Sequence, residues 1–338
     1  MANTIAYASL FQQNLDKQMT AKLTSGWMEA NAGQVIYNGG NEVKIPHLKL
    51  DGLADYNRKG ASGFASGDVT FKYQTKTMRK DRGRSFQFDS NDVDETNFVL
   101  TAGNVLSTFQ TTQVVPEIDA YRYSMLAREL LIANAGNGTN VKGITDGTGK
   151  GTGLAVGIVT PNYTPGKDTI YAKLKADLAA IRDIVGDIPL VISMTAANVS
   201  LLEQADEISR QLNVGDFAKG EIMTRVKMFD GVPIVEVPSG RFKTEFDFKA
   251  AGGFEKSNAG IDINWMITPQ IAPIAISKTD KVRIFTPDTN QSADAWKVDY
   301  RKYHDVWITE EQIKLCRMNV AGAIVRTATP KSKEAAAE

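Results

Sequence analysis

From Tyr7 to Trp27 the apolar residues recur every fourth position, at Tyr7, Phe11, Leu15, Met19, Leu23 and Trp27. That spacing lays one slowly winding apolar face along a helix or helix pair, and Gln12, Gln13, Asp16 and Lys17 make the opposite face polar. Such a stripe either packs on the chain's own core or serves as an arm against a neighbour. From Val35 the period becomes two. Val43 and Ile45, then Val69, Phe71 and Tyr73, then Phe86 and Phe88 alternate with polar residues, as half-buried strands do. Between the first two groups runs the glycine-rich stretch Asp51 to Asp68, "DGLADYNRKGASGFASGD", which predicts a long flexible tip on a two-stranded arm. A tip of that length without apolar periodicity usually binds something or is disordered.

Two helices are predicted next. The first runs from about Asp92 to Gln110, with Phe98, Ala102, Val105, Leu106 and Phe109 on one face. The second, from Pro116 to Asn134, has Pro116 in its first turn, Glu117 and Asp119 at the positive end of its dipole and Gly136 as a stop. The run "GNGTNVKGITDGTGKGTG" then breaks the pattern and is the best boundary between subdomains. Beyond it, Ile170, Leu174, Leu178, Ile181 and Ile184 predict a helix capped by Asp168 and stopped by Gly186. "IPLVIS" and "DGVPIVEVP" read as buried strands, and Thr195 as the cap of a short helix through Leu202. Trp296, Val298 and Tyr300 alternate before the pattern resumes at Val306 and Ile308, and a bulge near Arg301 and Lys302 is expected there. The polar, small-residue tail "TPKSKEAAAE" is expected to fray.

Composition narrows the class. At 338 residues the chain can bury a sizeable core in two subdomains or one discontinuous domain. Lysine plus arginine equals aspartate plus glutamate at 39 each, so nothing in the overall charge traps nucleic acid or anionic membrane. The single cysteine, Cys316, leaves no internal disulfide, points to a reducing compartment and reads as a small core residue. No apolar run approaches the roughly 20 residues of a membrane span, and no basic-then-apolar signal opens the chain; a soluble protein is expected. The two histidines, His47 and His304, are too few and too far apart in sequence to suggest a zinc site or a histidine-based triad.

The remaining candidates for chemistry fail on spacing. Asp89, Asp92, Asp94 and Glu95 suggest a cation loop, but a calcium loop needs glycine at its sixth position and glutamate at its twelfth. Counting from Asp89 puts Asp94 sixth; counting from Asp92 puts Asn97 sixth and Gly103 twelfth. These acids read as a helix start. "GTGKGTG" suggests a phosphate loop, yet Ile144 stands where the first glycine belongs and Gly151 where Ser or Thr should follow Lys150. His304 and Asp305 are adjacent in a strand and so point to opposite faces. No catalytic, cofactor-binding or metal-binding residue is assigned, no cofactor is expected, and no enzyme signature survives.

Four stretches in order do carry a resemblance: "DRGRSFQFDSNDVDET", "VVPEIDAYRY", "DGVPIVEVPSGRF" and "PDTNQSADAWKVDYRKYHDVW". Together they resemble the major capsid protein of tailed bacteriophages of the Hong Kong 97 type, over about Val35 to Asn319. The resemblance implies an α+β, Hong Kong 97-like capsid fold with an N-terminal arm (1–33) and an extended two-stranded loop (34–83). The peripheral domain would lie in two parts, 84–152, with a long spine helix over about 116–134, and 276–312. The axial domain would span 153–275, and a C-terminal strand and tail 313–338.

What it implies about function is self-assembly through pentamers and hexamers into an icosahedral shell enclosing double-stranded DNA. The partners would be the chain itself, portal and scaffolding proteins, and non-specifically packaged DNA, without a membrane, in the virion after assembly in the host cytoplasm. Contacts between subunits would involve Tyr7, Phe11 and Leu15 on the arm, Arg58, Lys59 and Phe64 on the loop tip, and Arg82 and Arg84 where the loop leaves the body. No cleavable scaffolding extension is read ahead of the arm, so a separate scaffold is expected if one is used. Some members crosslink an extended-loop lysine to an asparagine; Lys59 lies at a suitable tip, with nothing around it that indicates autocatalysis. An encapsulin-like storage shell is the alternative from the same fold, and a nucleotide-dependent enzyme built on the glycine run is the alternative from another class.

Overall fold

The computed structural model describes residues 23–37, 42–56, 58, 64, 66–89, 102–136, 158–206, 228–290 and 295–323. In chain order the first strands are β1 (Ile36–Tyr37), β2 (Glu42–Leu50), β3 (Val69–Thr77) and β4 (Lys80–Asp89). Helices α1 (Ala102–Phe109) and α2 (Val115–Gly136) follow, then β5 (Val159–Thr160), α3 (Ile170–Val185), β6 (Leu190–Thr195) and α4 (Ala196–Glu203). The remaining strands are β7 (Met228–Phe229), β8 (Val232–Val237), β9 (Phe246–Phe248), β10 (Phe254–Lys256), β11 (Ile263–Pro269), β12 (Pro273–Phe285) and β13 (Ala295–Ile308), before α5 (Glu310–Ile313) and β14 (Arg317–Val320). The chain divides into two compact units, one of Gly26–Thr111 with Ile274–Trp307, the other of Leu23–Ser25, Thr112–Pro273 and Ile308 onward.

The first unit holds two three-stranded sheets, ordered β1-β2-β3 and β12-β13-β4. In the second of these, β4 runs antiparallel to β13 without a break from Ala295↔Asp89 to His304↔Lys80. The expected bulge near Arg301 and Lys302 is therefore not present in this ladder. Val298, Tyr300, Lys302, His304, Val306 and Ile308 all face inward in a single phase. The interruption that suggested a slip is chemical, because Lys302 and His304 occupy inward positions. Phe86 of β4 meets Phe109 of α1 edge-on at 4.8 Å between ring centroids, and Phe109 meets Tyr300 at 5.7 Å, which explains the Phe86 and Phe88 side of "SFQF" as a half-buried face.

The second unit is built on a six-stranded sheet, β5-β14-β11-β6-β8-β7. Its core joins Ile170, Leu174, Leu178 and Ile181 of α3 to Leu190, Ile192 and Met194 of β6 and to Trp265 and Ile267 of β11, as the helical stripe predicts except at Ile184, which is exposed at the helix end. Gly186 ends α3 at φ 75°, in the left-handed region that favours glycine. The predicted cap moves by one residue, since Thr169 stands at the N-cap and makes no side-chain cap hydrogen bond. The "DGVPIVEVP" strand is β8, buried only at its ends, Val232 and Val237, and not along its length as expected; it is entered through a two-residue turn at Asp230 (φ 50°) and Gly231 (φ 78°) that pairs it with β7, the backbone that Asp-Gly hairpins favour.

Helix α2 has 22 residues and extends past the predicted 116–134 at both ends. Before it, Gln110–Val114 form a π-helical turn directly after α1, so the predicted pair of helices is separated by a widened turn. Pro116 follows at once and has no N–H to continue an α-helical ladder backwards. The first part of the first predicted helix, 92–101, lies outside the described residues, as do the acidic cluster beyond Asp89, the glycine run at 137–157 and the tail.

Candidate functional site: the β2–β3 ribbon

Strands β2 and β3 pair antiparallel over nine residues, from Glu42↔Thr77 at the base to Leu50↔Val69 at the far end. Among the described residues β1 covers β2 only at Val43 and Lys44, so from Ile45 outward the described ribbon is two strands wide. An isolated two-stranded ribbon is marginal in water; this one is rooted. Val43 (0% exposed) and Ile45 (3%) pack with Met78, Ile274 and Ile276. Tyr303 closes the root by donating its hydroxyl to the Met78 carbonyl at 2.7 Å, and the Asp305 carboxylate accepts the Arg79 amide at 2.9 Å.

The period of two places Pro46, Leu48 and Leu50 of β2 on the face opposite to Val43 and Ile45, with Tyr73, Phe71 and Val69 as their cross-strand partners. Leu48, Leu50, Val69, Phe71 and Tyr73 are each at least half exposed. The rings of Phe71 and Tyr73 meet edge-on at 4.8 Å. Together these five side chains leave on the order of 500 Å² of mostly apolar surface in water, as large as the biggest patch an ordinary monomer exposes. The sequence pattern predicts half-buried strands here. The structure buries Val43 and Ile45 and leaves Val69, Phe71 and Tyr73 bare.

At the far end, the mouth of the tip is closed. The Asp51 amide donates to the Asp68 carbonyl at 3.3 Å, and the Asp68 amide donates to Asp51 Oδ2 at 2.8 Å. Tyr56 and Phe64 form an edge-on pair at 4.9 Å, and Leu53 is wholly exposed. Among the described residues of the tip, Leu53, Tyr56 and Phe64 are exposed apolar side chains.

Of the residues singled out from sequence, Phe64 lies in this pair, 85% exposed, and Arg58 is exposed in a turn of the same tip. Tyr7, Phe11, Leu15 and Lys59 lie outside the described residues. Arg82 and Arg84 stand on β4 opposite Lys302 and Tyr300, well removed in register from the tip. Asp81 binds Arg301, whose Nε donates to Asp81 Oδ1 at 2.9 Å. Sequence reasoning passed over Leu48, Leu50, Leu53 and Tyr56. The legible signal for the first two was the register that sets Leu48 and Leu50 against Phe71 and Val69.

Elsewhere two buried groups, Cys316 and Asp177, have shifted protonation equilibria. The Cys316 thiol is buried and pushed up to about 12 by that burial. Burial raises the Asp177 carboxyl above its usual range, partly offset by Lys173 and by the Trp265 indole N–H donating to Oδ2 at 3.0 Å. Among the described residues no group of three His, Cys, Asp or Glu side chains could hold a metal ion, and no helix is long and apolar enough to cross a membrane.

No family model matches the chain, and no curated protein matches it. Solved structures do. The chain is similar to one from Mycobacterium phage Che8 (14% identity, TM-score 0.52), covering 83% of this chain and 84% of that one. It is similar to the asymmetric unit of the mature capsid of bacteriophage PhiM1 (12%, TM-score 0.54), covering 84% and 83%. It is similar to the capsid structure of cyanophage P-SCSP1u (13%, TM-score 0.51), covering 84% of each. The chain therefore shares the fold of these phage capsid structures. In particular, that fold is the α+β capsid fold of the Hong Kong 97 type.

Proposed function

We propose that this chain is the major capsid protein of a tailed phage, assembling through pentamers and hexamers into an icosahedral shell around double-stranded DNA. The observation that carries the reading is the shared fold, which extends over more than four fifths of this chain and of each phage chain compared. The ribbon supplies a means of assembly. Its root is fixed in the core while its far half presents an apolar face that nothing in the described chain covers, and a second copy of the chain is the occupant that a repeating shell provides. The contact is heterologous, ribbon of one copy on the body of the next. In the same reading 1–33 is the arm, 34–83 the extended loop, 84–152 and 276–312 the peripheral domain, 153–275 the axial domain and 313–338 the C-terminal strand and tail.

Portal and scaffolding proteins are the expected partners in the host cytoplasm, and Arg58, Lys59, Phe64, Arg82, Arg84 and the arm residues Tyr7, Phe11 and Leu15 are the expected contacts. The balanced charge suits a wall that confines DNA without holding it tightly, and the protein acts by assembling, not by catalysis. Negative-stain microscopy of purified protein, alone and with the scaffold encoded beside it, tests the proposal. Shells, rings or tubes are the expected result; a protein that stays monomeric at high concentration in both conditions overturns it.

A further inference from the structure

Met78 and Arg79 carry the chain from β3, in the sheet β1-β2-β3, to β4, in the sheet β12-β13-β4. A segment that leaves one ladder before it has joined the next must find partners elsewhere for its backbone polar groups. Here β13 supplies them. Its ladder with β4 ends at His304↔Lys80, yet the strand itself runs on to Ile308, and at the end of the ladder its side chains take over from its backbone. Asp305 Oδ2 accepts the Arg79 amide at 2.9 Å, and the Tyr303 hydroxyl donates to the Met78 carbonyl at 2.7 Å.

Tyr303 and Asp305 are two apart on a strand and so share one face. Asp305 is buried, and its other oxygen, Oδ1, accepts the Val306 amide at 2.8 Å, so the carboxylate is held between the joint and the strand that carries it. Burial first, then the charges of Asp81 and Asp305, raise the Tyr303 hydroxyl above its ordinary value; it keeps its proton and acts as a donor. The Met78 side chain is buried with Val43 and Ile45 of β2 and Ile274 and Ile276 of β12, and Tyr303 packs against the same cluster. That apolar packing is non-directional. The two hydrogen bonds are directional, and both act on the backbone of the joint, so they bear on the angle at which the ribbon leaves more than on how tightly its root is held.

We infer that Tyr303 and Asp305 form a latch on the Met78–Arg79 joint that fixes the direction of the β2–β3 ribbon relative to the β12-β13-β4 sheet. Both are positioning residues. The latch belongs to the single subunit and does not need the shell reading; under that reading, a ribbon already held in one direction loses less freedom when its apolar face docks.

Pulsed electron-spin distance measurements on the unassembled subunit test it, with labels introduced through Lys72→Cys on the ribbon and Gln87→Cys on β4, both exposed positions; Cys316 is buried and takes no label. Without further substitution the pair should give one narrow distance distribution. Tyr303→Phe removes one oxygen and keeps the ring, and Asp305→Asn sets an NH₂ group against an amide N–H; each should broaden or shift the distribution. Hydrogen exchange of the Arg79 amide should quicken by about tenfold in Asp305→Asn, while the amides of the β4–β13 ladder keep their wild-type rates. Ser85→Ala is the control, because it removes the 2.6 Å bond from Ser85 to Asp299 in the same two strands, away from the joint, and should leave the distribution as it was. Should Asp305→Asn fail to fold, Tyr303→Phe carries the test alone.

A broad distribution before any substitution at Tyr303 or Asp305 overturns the latch. So does a distribution that Tyr303→Phe leaves unchanged, whatever happens to exchange, since the bonds would then hold the joint without directing the ribbon. Equal broadening in Ser85→Ala, or quickened exchange along the whole β4–β13 ladder, also overturns it, because the effect would then be a general loosening of the sheet. None of these outcomes depends on whether subunits form shells, so the latch and the shell reading fall separately.

Discussion

Leu48 and Phe71 stand directly opposite one another across the β2–β3 ribbon, and they leave 57% and 52% of their surfaces exposed. A cross-strand apolar pair normally stabilises its own sheet by burial against a core; this pair faces away from the core that holds Val43 and Ile45. Replacing both by serine should change the denaturant midpoint of the unassembled subunit little, within about 0.5 kcal/mol. Burial at a contact is worth about 1.5–3 kcal/mol per side chain, so the concentration needed for assembly, followed by light scattering, should rise by about tenfold or more. Ile45→Ala is the converse, costing about 2–5 kcal/mol of subunit stability. Assembly of the double serine variant at wild-type concentrations would remove the ribbon face from the interface.

Asp177 predicts a dependence on pH. Its carboxyl is buried, binds the Trp265 indole and Lys173, and has its pKa raised above the ordinary value of 3.8 by that burial. A folded-state pKa above the unfolded one means that the folded chain holds the proton more tightly. The resulting stability is fully present below the unfolded value, and it is lost as pH rises through the folded one. Asp177→Asn keeps an acceptor for the indole and cannot ionise. Thermal melts across that range should therefore show the variant gaining on the wild type as pH rises from below 3.8 toward neutrality. A difference between the two that does not change with pH would mean that burial does not govern this carboxyl.

Much of the architecture was legible because its signals were local. The α3 stripe from Ile170 to Ile181 and the stop at Gly186 each depend on neighbours in sequence, and each stands where the pattern put it, while Ile184 at the end of the stripe is 39% exposed. Strand β13 was misread because Lys302 and His304, only 5% and 3% exposed, fill inward positions that a hydrophobicity pattern counts as outward. The ribbon was legible as a ribbon and not as a site. Alternation says which residues share a face, but the exposure of Phe71 and the burial of Ile45 depend on what covers each face, and for Ile45 that is Ile274 and Ile276, more than 200 positions away. The hydrogen bonds from the Thr24 and Ser25 amides to Asp119 left a weaker signal still, since acids early in a helix have a sufficient local explanation in the dipole.

Gly83, within the stretch "DRGRSFQF", was equally silent in sequence and gives a sharp test of the β4–β13 register. It pairs with Arg301, and a Cβ built on it would lie 2.8 Å from the Tyr300 carbonyl oxygen and 3.5 Å from the Arg301 Cα. The obstacle is backbone in the middle of a ten-pair ladder, so it cannot swing aside as a flexible side chain would. Gly83→Ala should therefore destabilise the subunit by about 1–3 kcal/mol, the usual cost of forcing extra volume into a packed site. Gly33→Ala serves as the control, because a Cβ there meets nothing within 4 Å, and its urea midpoint should match the wild type within about 0.5 kcal/mol. Equal midpoints for the two variants would mean that β4 does not approach β13 as closely at Gly83 as this register requires.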